Sequence, residues 1–114
     1  MALTLSITKS PSGVSPSELQ KRFAEQGGSI GRGENNEMVL EDPDRFLSTC
    51  HCRISGDGDR FYLTDMSTNG TFLNSAPEPI GKGTSVVLAH ADTIEVGDYQ
   101  FSVDIEGSLA GGSQ

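Results

Sequence analysis

Leu63-Thr64-Asp65-Met66-Ser67-Thr68-Asn69-Gly70-Thr71-Phe72-Leu73-Asn74 is the stretch on which the reading of the fold turns. Phe61 to Met66 predicts one short strand and Thr71-Phe72-Leu73 another. Between them Asn69-Gly70 is a tight-turn signal, because both residues tolerate positive φ, and on local grounds it reads as a hairpin turn. The rhythm continues upstream. Leu3, Leu5 and Ile7 alternate with Thr4, Ser6 and Thr8, the period-two pattern of a half-buried strand. Ser10 to Gly13 and Ser15 to Ser17 are turn or loop material. Leu19 to Ala24 is ambiguous between a helical turn and a strand, and its alternation favours the strand. Gly27-Gly28 punctuates the chain before a short strand at Ser29 to Arg32 and a Gly- and Asn-rich loop, Gly33 to Asn36. Met38-Val39-Leu40 is a very short strand, Glu41 to Phe46 an acidic loop, and Cys50 to Ser55 a strand closed by a turn at Gly56-Asp57-Gly58-Asp59. Downstream, Pro77 and Pro79 break the chain. Val86 to Leu88, Asp92 to Val96 and Tyr99 to Ile105 complete the set, with Gly97-Asp98 as a hairpin turn. The total is about ten or eleven short strands without a long helix, the pattern of an all-β sandwich.

The bulk numbers agree with one domain. The chain has 114 residues, 34% of them hydrophobic, enough for one modest core, and its 14 glycines suit many turns. Residues 1–106 are expected to form that domain, and Gly107-Ser108-Leu109-Ala110-Gly111-Gly112-Ser113-Gln114 reads as a flexible linker. No apolar run approaches the roughly 20 residues of a membrane span. The N-terminus lacks the unbroken apolar stretch of a secretory signal, so a cytoplasmic location is expected. A net charge of −8 argues against nucleic acid as the main ligand, since backbone binding needs a broad basic surface. It leaves room for one phosphate captured by one or two arginines.

Cys50-His51-Cys52 looks at first like a metal cluster. On a strand, however, the two cysteines share one face and His51 points to the other. Zinc takes about four ligands, and the only other histidine is His90. Cysteines one residue apart are also poorly placed for a disulfide. Reduced thiols are the expectation, and neither metal nor cofactor is expected, because no Gly-rich P-loop is present either.

Three loops carry more chemistry than turn-making requires: Gly31-Arg32, Ser48-Thr49-Cys50-His51, and Ser67-Thr68-Asn69-Gly70-Thr71. Each lies between predicted strands, so all three can gather at one end of a sandwich. Together they supply a guanidinium, hydroxyls, an amide and turn N–H groups, a donor set suited to a phosphate and an adjoining peptide backbone. Singly each signal is weak. Their order and spacing, Gly-Arg, then Ser-x-x-His, then Asn-Gly, resemble the signature of the forkhead-associated (FHA) domain, and the likeness spans about Gly28 to Val103.

The resemblance implies an eleven-stranded FHA-type β-sandwich that binds a phosphothreonine-containing protein through loops at one end. Carried over by position, Arg32 would pair with the phosphate, Ser48 would donate its hydroxyl, and Thr68 could do the same. Asn69 would hold the peptide main chain. Gly31 and Gly70 would shape the loops, and His51 would brace the loop presenting Ser48. One departure stands out: the family often has Arg or Lys after the serine, and here Thr49 offers one neutral hydrogen bond. Neutral bonds contribute about 0.5–1.5 kcal/mol net against about 1.5–3 for charged ones, so binding weaker than that of a two-cation site is expected.

A narrower likeness joins Phe23, Gly27-Gly28-Ser29-Ile30-Gly31-Arg32-Gly33-Glu34 and Asp42-Pro43-Asp44-Arg45-Phe46-Leu47-Ser48. It resembles the N-terminal FHA domain of bacterial type VI secretion scaffold proteins, which implies regulation by a Ser/Thr kinase. The partner would then be that kinase or a phosphorylated segment of the full-length chain. Two rivals remain. A phosphorylation-independent scaffold of the same fold would bind modified and unmodified partners alike. An enzyme would need Ser48 and His51 as nucleophile and base, with Asp65 as third member. No oxyanion or nucleophile-elbow pattern supports that, and no enzymatic activity is expected.

Overall fold

The computed structural model describes residues 2–12, 14, 19–42, 45–58 and 60–106. The expected linker at 107–114, the whole expected loop at 15–17, and Gly13 and Asp59 of the expected turns lie outside them, as do Pro43 and Asp44. Ten strands form two five-stranded sheets. In chain order they are β1 (Leu3–Lys9), β2 (Gln20–Phe23), β3 (Gly28–Gly31), β4 (Met38–Val39), β5 (Cys52–Asp57), β6 (Arg60–Asp65), β7 (Thr71–Leu73), β8 (Ser85–Leu88), β9 (Thr93–Val96) and β10 (Tyr99–Ile105). One sheet runs β2-β1-β10-β9-β7 and the other β4-β3-β5-β6-β8. All pairings are antiparallel except β3 with β4.

Alternation explains which side chains meet between the sheets. Leu3 and Leu5 of β1, and Phe101 and Val103 of β10, are buried from one side. Ile30, Ile54, Phe61 and Leu63 are buried from the other. Fully burying each such side chain contributes roughly 1.5–3 kcal/mol, so this layer is the main source of stability. The β1–β10 pair is the backbone of its sheet, with register Leu3↔Ile105 through Ile7↔Phe101. Beyond it the Glu106 N–H donates to the Ala2 carbonyl at 2.7 Å, so the two ends of the described chain lie side by side.

The sandwich is as expected, with three corrections. There are ten strands among the described residues, where the resemblance implied eleven. The segment between β7 and β8 carries Pro77 and Pro79, which have no N–H to give a ladder, and it turns at Gly81 and Gly83 with φ of 108° and 85°. The strand expected from Cys50 begins only at Cys52, and Gly56-Asp57 continues it instead of turning. Finally, Asn69-Gly70 is not a hairpin turn. β6 and β7 belong to different sheets, and Thr71 pairs with Val96 of β9. The Asn69-Gly70 corner therefore carries the chain across the sandwich, while Gly97-Asp98 does join a hairpin, with Val96 opposite Tyr99.

Candidate phosphopeptide site

Three connections emerge at one end: β3–β4, β4–β5 and β6–β7. Backbone bonds first lash the β3 exit to the β4–β5 loop. Arg32 N–H donates to the Ser48 carbonyl at 3.2 Å, Gly33 N–H to the Thr49 carbonyl at 3.0 Å, and His51 N–H to the Ile30 carbonyl at 2.8 Å. Gly31 sits inside this lashing. A Cβ there would lie 2.4 Å from the Thr49 carbonyl oxygen and 2.8 Å from the His51 nitrogen, so no other residue fits without moving the loop.

The side chains are then placed one by one. Arg32 is a third exposed, at 34%. Its Nε–H donates to the Leu47 carbonyl at 3.1 Å and its Nη2 to the Thr49 hydroxyl oxygen at 3.3 Å. The Asp42 carboxylate lies 3.8 Å from Nε. Arginine carries about five N–H donors, so these contacts fix the plane and leave others for a ligand. The Ser48 hydroxyl oxygen accepts the Thr68 N–H at 3.1 Å, which joins the β4–β5 and β6–β7 loops and keeps the hydroxyl hydrogen for donation. Asn69 is exposed, and its amide nitrogen donates to the Phe46 carbonyl at 2.5 Å. Thr68 and Thr49 are exposed beside them. Arg32, Ser48, Thr49, Thr68 and Asn69 thus share one rim. Thr49 touches Arg32 directly and so orients the cation.

His51 lies beneath that rim, fully buried. Its Nδ1 accepts the Ser48 N–H at 3.2 Å and its Nε2–H donates to the Gly70 carbonyl at 2.9 Å. Those two partners require the neutral ring protonated on Nε2. Burial lowers its pKa, outweighing the opposing Gly70 carbonyl and the Asp65 and Asp42 charges. The ring engages the backbone of Ser48 and not its hydroxyl, so the pair does not make a nucleophile and base. Gly70, at φ 104°, sits at the corner that turns the chain from Asn69 into β7.

Asp65, which the sequence suggested only as a third member for the enzyme rival, has a structural role instead. At the end of β6 it is buried and accepts from the Ser67 N–H at 2.9 Å, the Ser67 hydroxyl at 2.6 Å, the Thr71 hydroxyl at 3.0 Å and the Gly81 N–H at 3.1 Å. Burial by itself would raise this carboxyl, but the donors together lower it. Asp-x-Ser is a local turn signal that marks the start of this knot, yet the Thr71 and Gly81 contacts are not legible from spacing. Lys82 was missed by the sequence reading. It borders a hollow of about 310 Å³ behind Thr68, Asn69 and Gly70. Cys50 is half-buried and Cys52 buried, and burial pushes the Cys52 thiol up.

Comparison with known proteins now decides the family. The FHA domain family matches residues 28–97, which contain all three loops. The chain belongs to the FHA domain family. It is 43% identical over 55 residues to the FHA domain-containing protein FhaB of Mycobacterium tuberculosis, covering 47% of this chain and 34% of that protein. The chain therefore spans about a third of that curated relative. An FHA domain solved for phosphothreonine-dependent FHA domain interactions superposes with a TM-score of 0.72 at 31% identity, covering 93% of this chain and 98% of that one. Mycobacterium tuberculosis EmbR in complex with a low-affinity phosphopeptide superposes with a TM-score of 0.72 at 25% identity, covering 91% of this chain and 24% of that one.

Proposed function

We propose that this FHA domain is a phosphothreonine-dependent protein-binding module with no reaction of its own. The observation that carries the reading is the shared rim of Arg32, Ser48 and Asn69, each held by a contact to a neighbouring loop. A guanidinium and a hydroxyl on that rim suit a phosphate, and the remaining polar atoms of the Asn69 amide suit a peptide main chain. Similar FHA domains act in phosphothreonine-dependent interactions or hold a phosphopeptide, which favours the same use here. With a single motif-matched cation, affinity on the order of micromolar is expected.

Paired peptides differing only in one residue test this by calorimetry. Phosphothreonine should bind at least about tenfold better than phosphoserine and far better than unmodified threonine. Burying one methyl contributes about 0.8 kcal/mol, and a β-branched side chain held in one rotamer could add a similar amount, together near the 1.4 kcal/mol of a factor of ten. Phosphoserine within a factor of about two would replace the threonine-selective pocket by a general anion site. Equal binding of unmodified peptide would favour the phosphorylation-independent scaffold, which Thr49 in place of a cation and the net charge of −8 make a real rival.

The finer reading keeps the likeness to type VI secretion scaffolds: a cytoplasmic regulator downstream of a Ser/Thr kinase, with residues 107–114 as a flexible linker. The partner would be the kinase or a phosphorylated segment of the full-length protein. Affinity capture with the wild-type domain and Arg32→Ala, from cells with and without kinase activity, tests it. Capture of the same proteins in both backgrounds would overturn it.

A further inference from the structure

Asn69-Gly70 is the only asparagine–glycine pair in the chain, and the rim depends on both residues. Gly70 has φ 104°, and a Cβ there would lie 3.1 Å from Phe72 Cε1 and 3.1 Å from Pro79 Cβ. Asn69 donates its amide N–H to the Phe46 carbonyl at 2.5 Å, for which a carboxylate has no hydrogen. Such a pair carries a chemistry of its own. With no glycine side chain to obstruct it, the glycine nitrogen can close on the asparagine side-chain carbonyl carbon. Several contacts oppose that closure here. The Gly70 N–H donates to the Ser67 hydroxyl oxygen at 2.8 Å, and that hydroxyl gives its own hydrogen to Asp65 at 2.6 Å. The Gly70 carbonyl accepts from His51 at 2.9 Å, so the residue is pinned on both sides. The Asn69 side chain is drawn to Phe46, 23 positions back in the chain. Gly70 and Ser67 are buried while Asn69 is exposed, so the nucleophile is shielded from base in the solvent and the electrophile is not.

We infer that Asn69 is a site of self-deamidation, held off by the Ser67 and Phe46 contacts and by a bound partner, and that its conversion ends phosphopeptide binding. The loss of binding rests on the proposed function, whereas the conversion does not. Hydroxide takes the Gly70 amide proton, and the nitrogen bonds to Asn69 Cγ. The Cγ–Nδ2 bond breaks, and the departing nitrogen takes a proton from water and leaves as ammonia. Water then opens the cyclic imide at either carbonyl, giving aspartate or isoaspartate. The sum is one water consumed and one ammonia released, with no other reactant. Both products carry a carboxylate where an amide stood, on the rim shared with Arg32. It repels a phosphate, adds to a net charge of −8 and offers the Phe46 carbonyl no hydrogen. Isoaspartate also lengthens the main chain by one carbon at the corner. A partner whose main chain is held by Asn69 occupies the amide and covers the rim, so an engaged domain outlasts an idle one.

The test incubates the wild-type domain at mildly alkaline pH, free and saturated with a phosphothreonine peptide, beside a synthetic peptide of residues 66–74. Mass spectrometry of proteolytic fragments reads conversion at Asn69, with Asn35, Asn36 and Asn74 as internal references. Conversion should be confined to Asn69. It should run roughly tenfold or more slower in the free domain than in the short peptide, the factor expected from two hydrogen bonds, and slower again in the complex. Ser67→Ala should quicken it by about two- to tenfold, the equivalent of one bond. If that variant does not fold, the free-domain and complex rates decide alone. The folded, converted fraction should lose phosphopeptide affinity, as should Asn69→Asp. No conversion in the domain after the short peptide is fully converted overturns the inference. So do equal rates in domain and short peptide, a complex that converts as fast as the free domain, or a converted domain that binds as before. A fresh, unconverted domain that binds phosphorylated and unmodified peptides alike overturns the proposed function instead, and the free-domain rate still tests the conversion.

Discussion

At the scale of single residues, the site separates cleanly into groups that face outward and groups that hold them. Arg32 is of the first kind. Arg32→Ala should lower phosphopeptide affinity by roughly ten- to more than a hundredfold, the equivalent of about 1.5–3 kcal/mol for a charge-assisted contact, with little change in melting temperature. Calorimetry on the folded variant reads this directly, and unchanged affinity would remove Arg32 from the site. His51 is of the second kind, and its signature is a pH dependence of stability. Its folded pKa is depressed, because burial favours the neutral ring. The unfolded state therefore binds the proton more readily, so its stabilisation is full above the unfolded value near 6.5. It erodes as pH falls from there through the folded pKa. Melting temperature should fall between about pH 7 and pH 5 in the wild type and fall less in His51→Gln. His51→Ala should cost more stability than Arg32→Ala, since it leaves the Ser48 N–H and the Gly70 carbonyl unpaired at about 1–3 kcal/mol each. A His51→Ala protein with the wild-type melting temperature and no binding would mean that the ring meets the ligand itself.

At the scale of elements, the β6–β7 connection is the most telling piece. Asn69-Gly70 between two strand-like runs reads locally as a hairpin, and alternation on either side cannot say which sheet receives each strand. The choice is made by Asp65, whose carboxylate gathers Ser67, Thr71 and Gly81 and so turns the chain across the sandwich. Those contacts join residues up to 16 apart in sequence, beyond the reach of periodicity. By contrast β1, β7 and β10 were legible almost to the residue, because Leu3-x-Leu5-x-Ile7 and Tyr99-x-Phe101-x-Val103 alternate against a core. The rim residues were legible through loop order, whereas Lys82 and the hollow it borders were not, since both depend on loops meeting in space. Asp65 gives this element its own prediction. Its carboxyl is held below the usual range despite burial, so its stabilisation is present above the unfolded value of about 4 and lost as pH falls through the folded pKa. Asp65→Asn should lower the melting temperature at neutral pH and narrow the gap to wild type in strong acid. An undiminished gap in strong acid would deny the carboxylate its role.

At the scale of the whole molecule, a net charge of −8 surrounds a site proposed to capture an anion. Long-range repulsion and local attraction then respond oppositely to salt. Raising ionic strength from about 0.01 to 0.15 M shortens the screening length from about 30 to about 8 Å. Association with an acidic phosphopeptide should therefore speed up across that range, while dissociation also quickens as the Arg32 contact is screened. Stopped-flow rates separate the two, and an association rate that falls with salt would mean that a local positive field outweighs the domain's charge. The placement of the two ends of the described residues has a mechanical consequence. Leu3 lies opposite Ile105, and Glu106 bonds Ala2, at the end of the sandwich remote from the loops. Tension applied through both ends loads that first rung alone, and the hydrogen bonds of β1 and β10 must yield one after another, as in a zip, instead of sharing the load in shear. A pull on the protein would thus peel the sandwich from its far end at low force, and the rim proposed to hold a partner would be the last part of that seam to feel it.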